Sequence, residues 1–207
     1  MKLKRKIILS IETAVDGGSI SVIEGEEEID FWKGFKEDLK AEDFLGEVSK
    51  ILEKNKIEKK LIRLITVSNG PGNSTGVKIG LATARGLGTA LNCEVAEVSL
   101  AKAILKFVNI DGSGNAFVVL PVGKNFFVLE NIELINLNAL ESSKKSKAFT
   151  IEKLAEKLKL LSNTQIIVDR NTFENHNYSI FNFIDESNQL TVFEENMAFI
   201  IAKNRAP

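Results

Sequence analysis

The chain has 207 residues, 44% of them hydrophobic and 27% charged, with a formal net charge of −1. This is ordinary for a folded globular protein, and it excludes an overall field that would hold nucleic acid or a membrane surface, so RNA contact would need a local patch. The single cysteine, Cys93, excludes an internal disulfide and fits a cytoplasmic protein.

The opening MKLKRKIILSIET is basic and then apolar, in the manner of a signal peptide. Its apolar run, 7–11, is too short for one, and Glu12 follows with no small-residue cleavage site. No apolar run approaches the roughly 20 residues that cross a bilayer, so no membrane is expected as a partner. Run 7–11 has instead the pattern of a strand buried on both faces. Gly17 and Gly18 make a turn, SISVIEG alternates as a second strand, and EEEIDFWKG reads as a third. A helix is expected over 38–55, with Phe44, Leu45, Val48, Ile51 and Leu52 on one apolar face. KLIRLITVSN is a fourth strand, 77–91 a second helix, CEVAEVS a fifth strand and 100–108 a third helix. This order suggests a mixed sheet flanked by helices, an α/β fold; a dinucleotide-binding unit would open β-α-β.

IDGSGN, 110–115, is the best linker, dividing the chain into domains 1–109 and 110–207. AFVVLPV and NFFVLENIELINL follow as strands, then a polar loop, ALESSKKSKA, a helix over 151–161 and a strand over 165–169. Beyond Arg170 the pattern weakens, and only YSIFNFI and LTVFEENMAFIIAK keep an apolar rhythm. No sequence repeat is visible.

The stretch between the fourth strand and the second helix carries Gly70, Gly72 and Gly76. Free amides at a helix start attract phosphate, and glycine lets the backbone come close. The spacing matches neither G-x-x-x-x-G-K-[ST] nor G-x-G-x-x-G, because Gly76 falls one residue late. A structural turn is the plain alternative. Behind the loop, Gly76, Gly80, Ala84 and Gly88 repeat every four residues with Thr83 beside them. Glycine inside a helix costs about 1 kcal/mol against alanine, so such a stripe implies close approach of another backbone. Two occupants are open: a helix of this chain, or one of another subunit.

GPGNSTGVKIGLATARGLGTAL, 70–91, resembles the signature of the TsaB (YeaZ) family. ILSIETAVDGGSISVIEG and EVSLAKAI resemble two further landmarks, so the likeness spans about 7–104. The resemblance implies an actin/Hsp70-like fold with two ribonuclease-H-like domains, the second reduced or divergent. It implies a non-catalytic subunit in the formation of threonylcarbamoyladenosine in tRNA, without a cofactor of its own. Such proteins support the TsaD transferase, with the TsaE ATPase joining, and pair with themselves when alone; tRNA is met only through the complex. Contact through the first two helices maps onto Phe44, Leu45, Val48, Gly76, Val77, Gly80, Ala84, Leu87 and Gly88.

The departures are specific. Glu12-Thr13-Ala14 replaces Asp-Thr-Ser, Lys40, Ala41 and Gly46 stand at the family's His, Ser and Pro, and Ser74 at its Phe. PVGKNFFVL lacks the family's Asp, Arg and Glu. A TsaD-type enzyme holds metal with a His-x-x-x-His helix, and this chain has one histidine, His176, read as a surface residue. No G-x-S-x-G elbow supports a peptidase. Glu42, Asp43 and Glu26 to Glu28 read as solvated charge. The alternative function is a nucleotide-binding phosphotransferase or ATPase of the actin-like fold, using Glu12, Thr13, Gly70, Gly72 and Thr75. The basic clusters KLKRK and SSKKSK lack interleaved aromatics for stacking RNA bases.

Overall fold

The computed structural model describes residues 6–15, 17–34, 41–110, 114–123, 125–134, 147–176, 180–181 and 185–204, without the side chains of 41–43. The helix start at 38–40 with Lys40, the side chains of Ala41, Glu42 and Asp43, half of the linker, and most of both basic clusters and of YSIFNFI lie outside the described residues.

Three strands open the chain: β1 (Ile7–Glu12), β2 (Ser19–Glu24) and β3 (Glu27–Lys33). Helix α1 (Ala41–Lys54), β4 (Ile62–Ser68), α2 (Ser74–Leu91), β5 (Glu94–Val98) and α3 (Leu100–Phe107) follow. The expected order β-β-β-α-β-α-β is therefore the observed one. The sheet runs β3-β2-β1-β4-β5, antiparallel between β1, β2 and β3 and parallel between β1, β4 and β5.

A second sheet repeats that plan. Its strands are β6 (Asn115–Pro121), β7 (Phe126–Glu133), β8 (Ala148–Thr150), β9 (Gln165–Asp169) and β10 (Gln189–Phe193). They run β10-β9-β6-β7-β8, with β6/β7 and β7/β8 antiparallel and β6/β9 and β9/β10 parallel. Helix α4 (Ile151–Lys159) sits in chain order where α1 does in the first half, and α5 (Arg170–His176) where α2 does. Two mixed five-stranded sheets with flanking helices are the two-domain actin-like, ribonuclease-H-like architecture. The repeat is one of topology, which is why no repeated residues reveal it.

The described residues of Met1–Ala103 and Asn196–Pro207 form one compact unit, and those of Ile104–Glu195 a second. A single cut at residue 109 does not describe this division, because the last helix, α6 (Met197–Lys203), returns to the first sheet. There Ala202 clusters with Ile8 and Ile23. The other face of that sheet carries Ile7, Leu9 and Ile11 against Phe44, Val48, Ile51 and Leu52 of α1 and Ala84 of α2. Alternation along β1 thus puts odd residues under α1 and α2 and even ones under α6. In the second unit Phe127, Val119, Ile166 and Val168 pack on Leu154 and Leu158 of α4.

Candidate functional site

The first unit gathers the sequence-predicted residues around the end of β1. Glu12 is 1% exposed, and its Oε1 accepts the Ala14 backbone N–H. It lies on the even face of β1, paired with Ser19 of β2. The buried carboxylate therefore stitches the turn that it starts.

The glycine loop lies directly on this turn. Gly70 and Gly72 have φ of +98° and +158°, which L side chains rarely adopt. A Cβ at Gly72 would fall on the Ala14 carbonyl oxygen, one at Gly76 on the Thr13 carbonyl oxygen. The Thr13 hydroxyl donates to Gly76 O at 2.8 Å, and Asn73 N–H donates to Ala14 O at 2.8 Å. Asn73 also caps α2: its Oδ1 accepts from the amides of Thr75 at 3.0 Å and Gly76 at 3.4 Å. Val77 N–H bonds Asn73 O at 2.9 Å, and Gly70 N–H bonds Ser68 Oγ at 3.1 Å.

The amides of Gly70, Asn73, Thr75, Gly76 and Val77 are thus bonded within the chain. Ala14 adds no hydroxyl, and the space against Thr13 and Ala14 is taken by glycine backbone. Glu12, Thr13, Gly70, Gly72 and Thr75 are brought together at this one turn, and its bonded amides lend a nucleotide loop no support.

The small-residue stripe also faces inward. A Cβ at Gly80 would meet Thr13 Oγ1, and one at Gly88 would meet Val95 of β5. Gly80, Ala84 and Gly88 are buried. What approaches closely at Gly76, Gly80 and Gly88 is this chain's own β1 turn and β5, not another of its helices. Phe44 and Val48 belong to the same interior, Phe44 edge-on to Trp32 with ring centroids 5.4 Å apart. As surface for a partner, Phe44, Val48, Gly80, Ala84 and Gly88 are therefore corrected. Gly76, Val77 and Leu87 are partly buried, and Leu45, at 44% exposed, points outward.

Two outward glycines went unread as surface. Gly46 in α1 and Gly86 in α2 are exposed, and a Cβ on either would meet nothing within 4 Å. The visible signal was a helix-interior glycine off the four-residue stripe. Asn55 and Lys54 bond Asp30 at 2.7 and 2.8 Å and tie the end of α1 to β3. Burial alone would raise the Asp30 carboxyl, but the bonds from Lys54, Asn55 and the Phe31 amide bring it below its ordinary value. Arg85 reaches Glu97 at 2.5 Å and ties α2 to β5.

In the second unit His176 is half-buried, not a surface residue, and meets Phe127 edge-on with ring centroids 5.1 Å apart. Burial pushes its imidazole below the ordinary value, and Asp169 partly opposes that. Glu28, read as solvated charge, accepts from Ser21 at 2.6 Å and from Asn196 at 3.2 Å. Among the described residues no His, Cys, Asp and Glu cluster of three or more could hold a metal, and no helix is long and apolar enough to cross a membrane.

A family model described as TsaD, tRNA N6-adenosine threonylcarbamoyltransferase, matches residues 39–186, more than half of the chain. The chain belongs to this family. Among curated proteins nothing matches its sequence. Among solved structures, YeaZ from Pseudomonas aeruginosa is 16% identical with a TM-score of 0.60, covering 96% of this chain and 89% of its own. A Pseudomonas aeruginosa protein described as uncharacterized, with similarity to peptidase YeaZ, is 15% identical with a TM-score of 0.61, covering 95% and 89%. A Bacteroides thetaiotaomicron protein described as having an actin-like ATPase fold and unknown function is 12% identical with a TM-score of 0.52, covering 96% of both chains. At these identities the likeness is one of fold. The TsaB (YeaZ) resemblance of residues 70–91, the TsaD-family match and the YeaZ neighbours agree.

Proposed function

We propose that this TsaD-family chain is a TsaB-type accessory subunit, itself without transferase chemistry, that supports a TsaD-type transferase in forming threonylcarbamoyladenosine in tRNA. The observation that carries the reading is the orientation of α1 and α2. Phe44, Val48, Gly80 and Ala84 fasten the two helices to their own sheet, and Leu45, Gly46, Ala82 and Gly86 are left exposed. Exposed glycine lowers the stability of an isolated helix and suits close approach of a partner helix. One histidine in the whole sequence cannot supply a two-histidine metal site, which supports the non-catalytic role. A TsaE-type ATPase joins the pair, a second copy of the chain takes the same face when the transferase is missing, and tRNA is reached only through the complex, in the cytoplasm. The nucleotide-using alternative draws no support from the amides of Gly70, Asn73, Thr75, Gly76 and Val77, which are bonded internally.

The test is co-purification of the full chain with the TsaD-type protein of its own host. Leu45→Glu with Ala82→Glu, both on exposed positions, is expected to abolish co-purification and leave the unfolding free energy of the free chain within about 0.5 kcal/mol. Undiminished co-purification of that variant would remove the helical face from the proposal.

A further inference from the structure

The first sheet ends at β3, which pairs with β2 on one side and, among the described residues, with no strand on the other. A free edge of seven residues invites pairing with another chain. The alternation of the ladder decides which of its amides face outward. Gly34 N–H bonds Gly18 O at 2.9 Å, one step beyond the Lys33–Ser19 pair, so bonded pairs recur at Trp32–Ile20 and Asp30–Val22. The amides of Phe31 and Lys33 therefore point off the sheet. Phe31 is 54% exposed, so in the middle of the edge an outward amide lies beside a large apolar side chain.

That amide is taken by the residue before it. Phe31 N–H donates to Asp30 Oδ1 at 2.9 Å. The other carboxylate oxygen, Oδ2, accepts from Asn55 Nδ2 at 2.7 Å and pairs with Lys54 Nζ at 2.8 Å. Asn55 Nδ2 also donates to Ile51 O at 2.9 Å, which anchors it to α1. Lys54 is mostly exposed, so the ion pair by itself adds little stability. What the arrangement fixes is the place of the carboxylate, held on one side by the end of α1 and on the other by the edge amide. Two further features blunt the same edge: the irregularity of pairing at Val22/Ile23, and the exposed Lys33 at the other outward amide.

We propose that Asp30 guards the free edge of the first sheet: its carboxylate occupies the Phe31 amide and keeps β3 from pairing with β3 of a second copy. A second copy is the strand this edge suits. Full antiparallel overlap of two β3 strands sets the exposed Glu27 of each opposite the exposed Lys33 of the other. The same overlap sets Asp30, the fourth of seven residues, opposite its own copy, where like charges repel. Such pairing has a two-fold axis and closes at two copies, because β3 has one free edge. Asp30 therefore blocks it twice, by filling the donor and by its charge.

Sedimentation and amide-resolved hydrogen exchange on the full chain test this. The parent carries Leu45→Glu with Ala82→Glu, so that self-association through the helical face proposed above does not contribute. The parent is expected to keep one sedimentation coefficient between about 10 and 300 µM, and Asp30→Ala to dimerise over that range. In Asp30→Ala the Phe31 amide is expected to exchange at least roughly tenfold slower in the concentrated sample than in the dilute one, because the second strand now accepts it. Asp30→Asn keeps an acceptor oxygen for that amide and is expected to dimerise at least roughly tenfold more weakly than Asp30→Ala. In the parent, without any change at Asp30, the Phe31 amide should exchange several-fold slower than that of Lys33 once intrinsic rates are removed. Asp30→Ala of the parent's size at every concentration, a dimer whose Phe31 amide exchanges as fast as in the dilute protein, or equal exchange of Phe31 and Lys33 in the parent would overturn the guard.

Discussion

At Gly80 an added Cβ would fall on the Thr13 hydroxyl; at Gly86, six residues along the same helix, it would meet nothing within 4 Å. The two positions therefore predict opposite outcomes for one substitution. Gly86→Ala, at an exposed helix position, should raise stability by about 0.5–1 kcal/mol, since alanine restricts the unfolded backbone and suits the helix. Gly80→Ala should lower it by about 1–3 kcal/mol, because the β1 turn must shift to admit a methyl group. Urea unfolding midpoints of the two variants check both signs. His176 gives a pH prediction. Its folded imidazole is held below an unfolded value near 6.5 by burial against Phe127. Below about pH 6.5 the unfolded chain therefore binds the proton first, and stability falls until the pH passes the folded value. His176→Phe should flatten that part of the stability profile. Thermal unfolding of both proteins at pH 7.5 and pH 5.5 would show it, and equal losses in both would remove His176 as the cause.

What the residues disclose in advance is periodicity, and what they hide is direction. The four-residue stripe Gly76, Gly80, Ala84, Gly88 is plain in the sequence, and close approach occurs along it, by backbone at Gly76 and by side chains at Gly80 and Gly88. A stripe carries no sign for which body approaches it, and here that body is the turn after β1 at Gly76 and Gly80 and Val95 of β5 at Gly88. The same limit applies to Phe44 and Val48, where an apolar helix face names a core without saying whose. His176 hides differently: it sits in a polar segment, and only the fold brings Phe127 to it across 49 residues of chain.

Among elements, the long ones are legible and the short ones are not. β1, β2, β4, α1 and α2 each show several turns or alternations of pattern, whereas β8 has three residues and α5 and α6 seven each. Such pieces fall below the window in which periodicity can be counted, and tertiary packing decides them. The start of α2 carries its own signal in the sequence. Asn73 three residues before Gly76 is a capping residue, and it moves the helix start from 77 to Ser74. Its side chain answers two amides of the first turn, at 3.0 and 3.4 Å. Asn73→Ala should therefore cost about 1 kcal/mol, and Asn73→Asp should retain most of the stability, because a carboxylate caps as well and favours the helix start. Equal losses in both variants would point instead to the loop backbone, where Asn73 N–H holds Ala14 O whatever the side chain.

For the whole molecule, the same five-strand plan occurs twice, but the two copies differ where an actin-like fold would meet a nucleotide. In the first unit β1 ends in Glu12 and runs into a turn sealed by the glycine loop. In the second β6 ends at Pro121, and the chain turns back through Val122 N–H to Phe126 O at 2.9 Å with no carboxylate at the corner. Among the described residues the acid at the first corner, Glu12, accepts the Ala14 amide, and the sequence puts no acid at the second, so the chain is expected not to respond to ATP with magnesium. The expectation can be made quantitative. A ligand at 100 times its Kd adds about 2.7 kcal/mol to a native state that binds it, enough to raise Tm by roughly 5–11 °C in a chain of this size. Millimolar MgATP is therefore expected to leave Tm unchanged in the full chain and to give no saturable heat in calorimetry. A rise of that size, lost in Glu12→Ala but kept in Leu45→Glu, would reopen the turn after β1 as a nucleotide site and leave the helical face untouched.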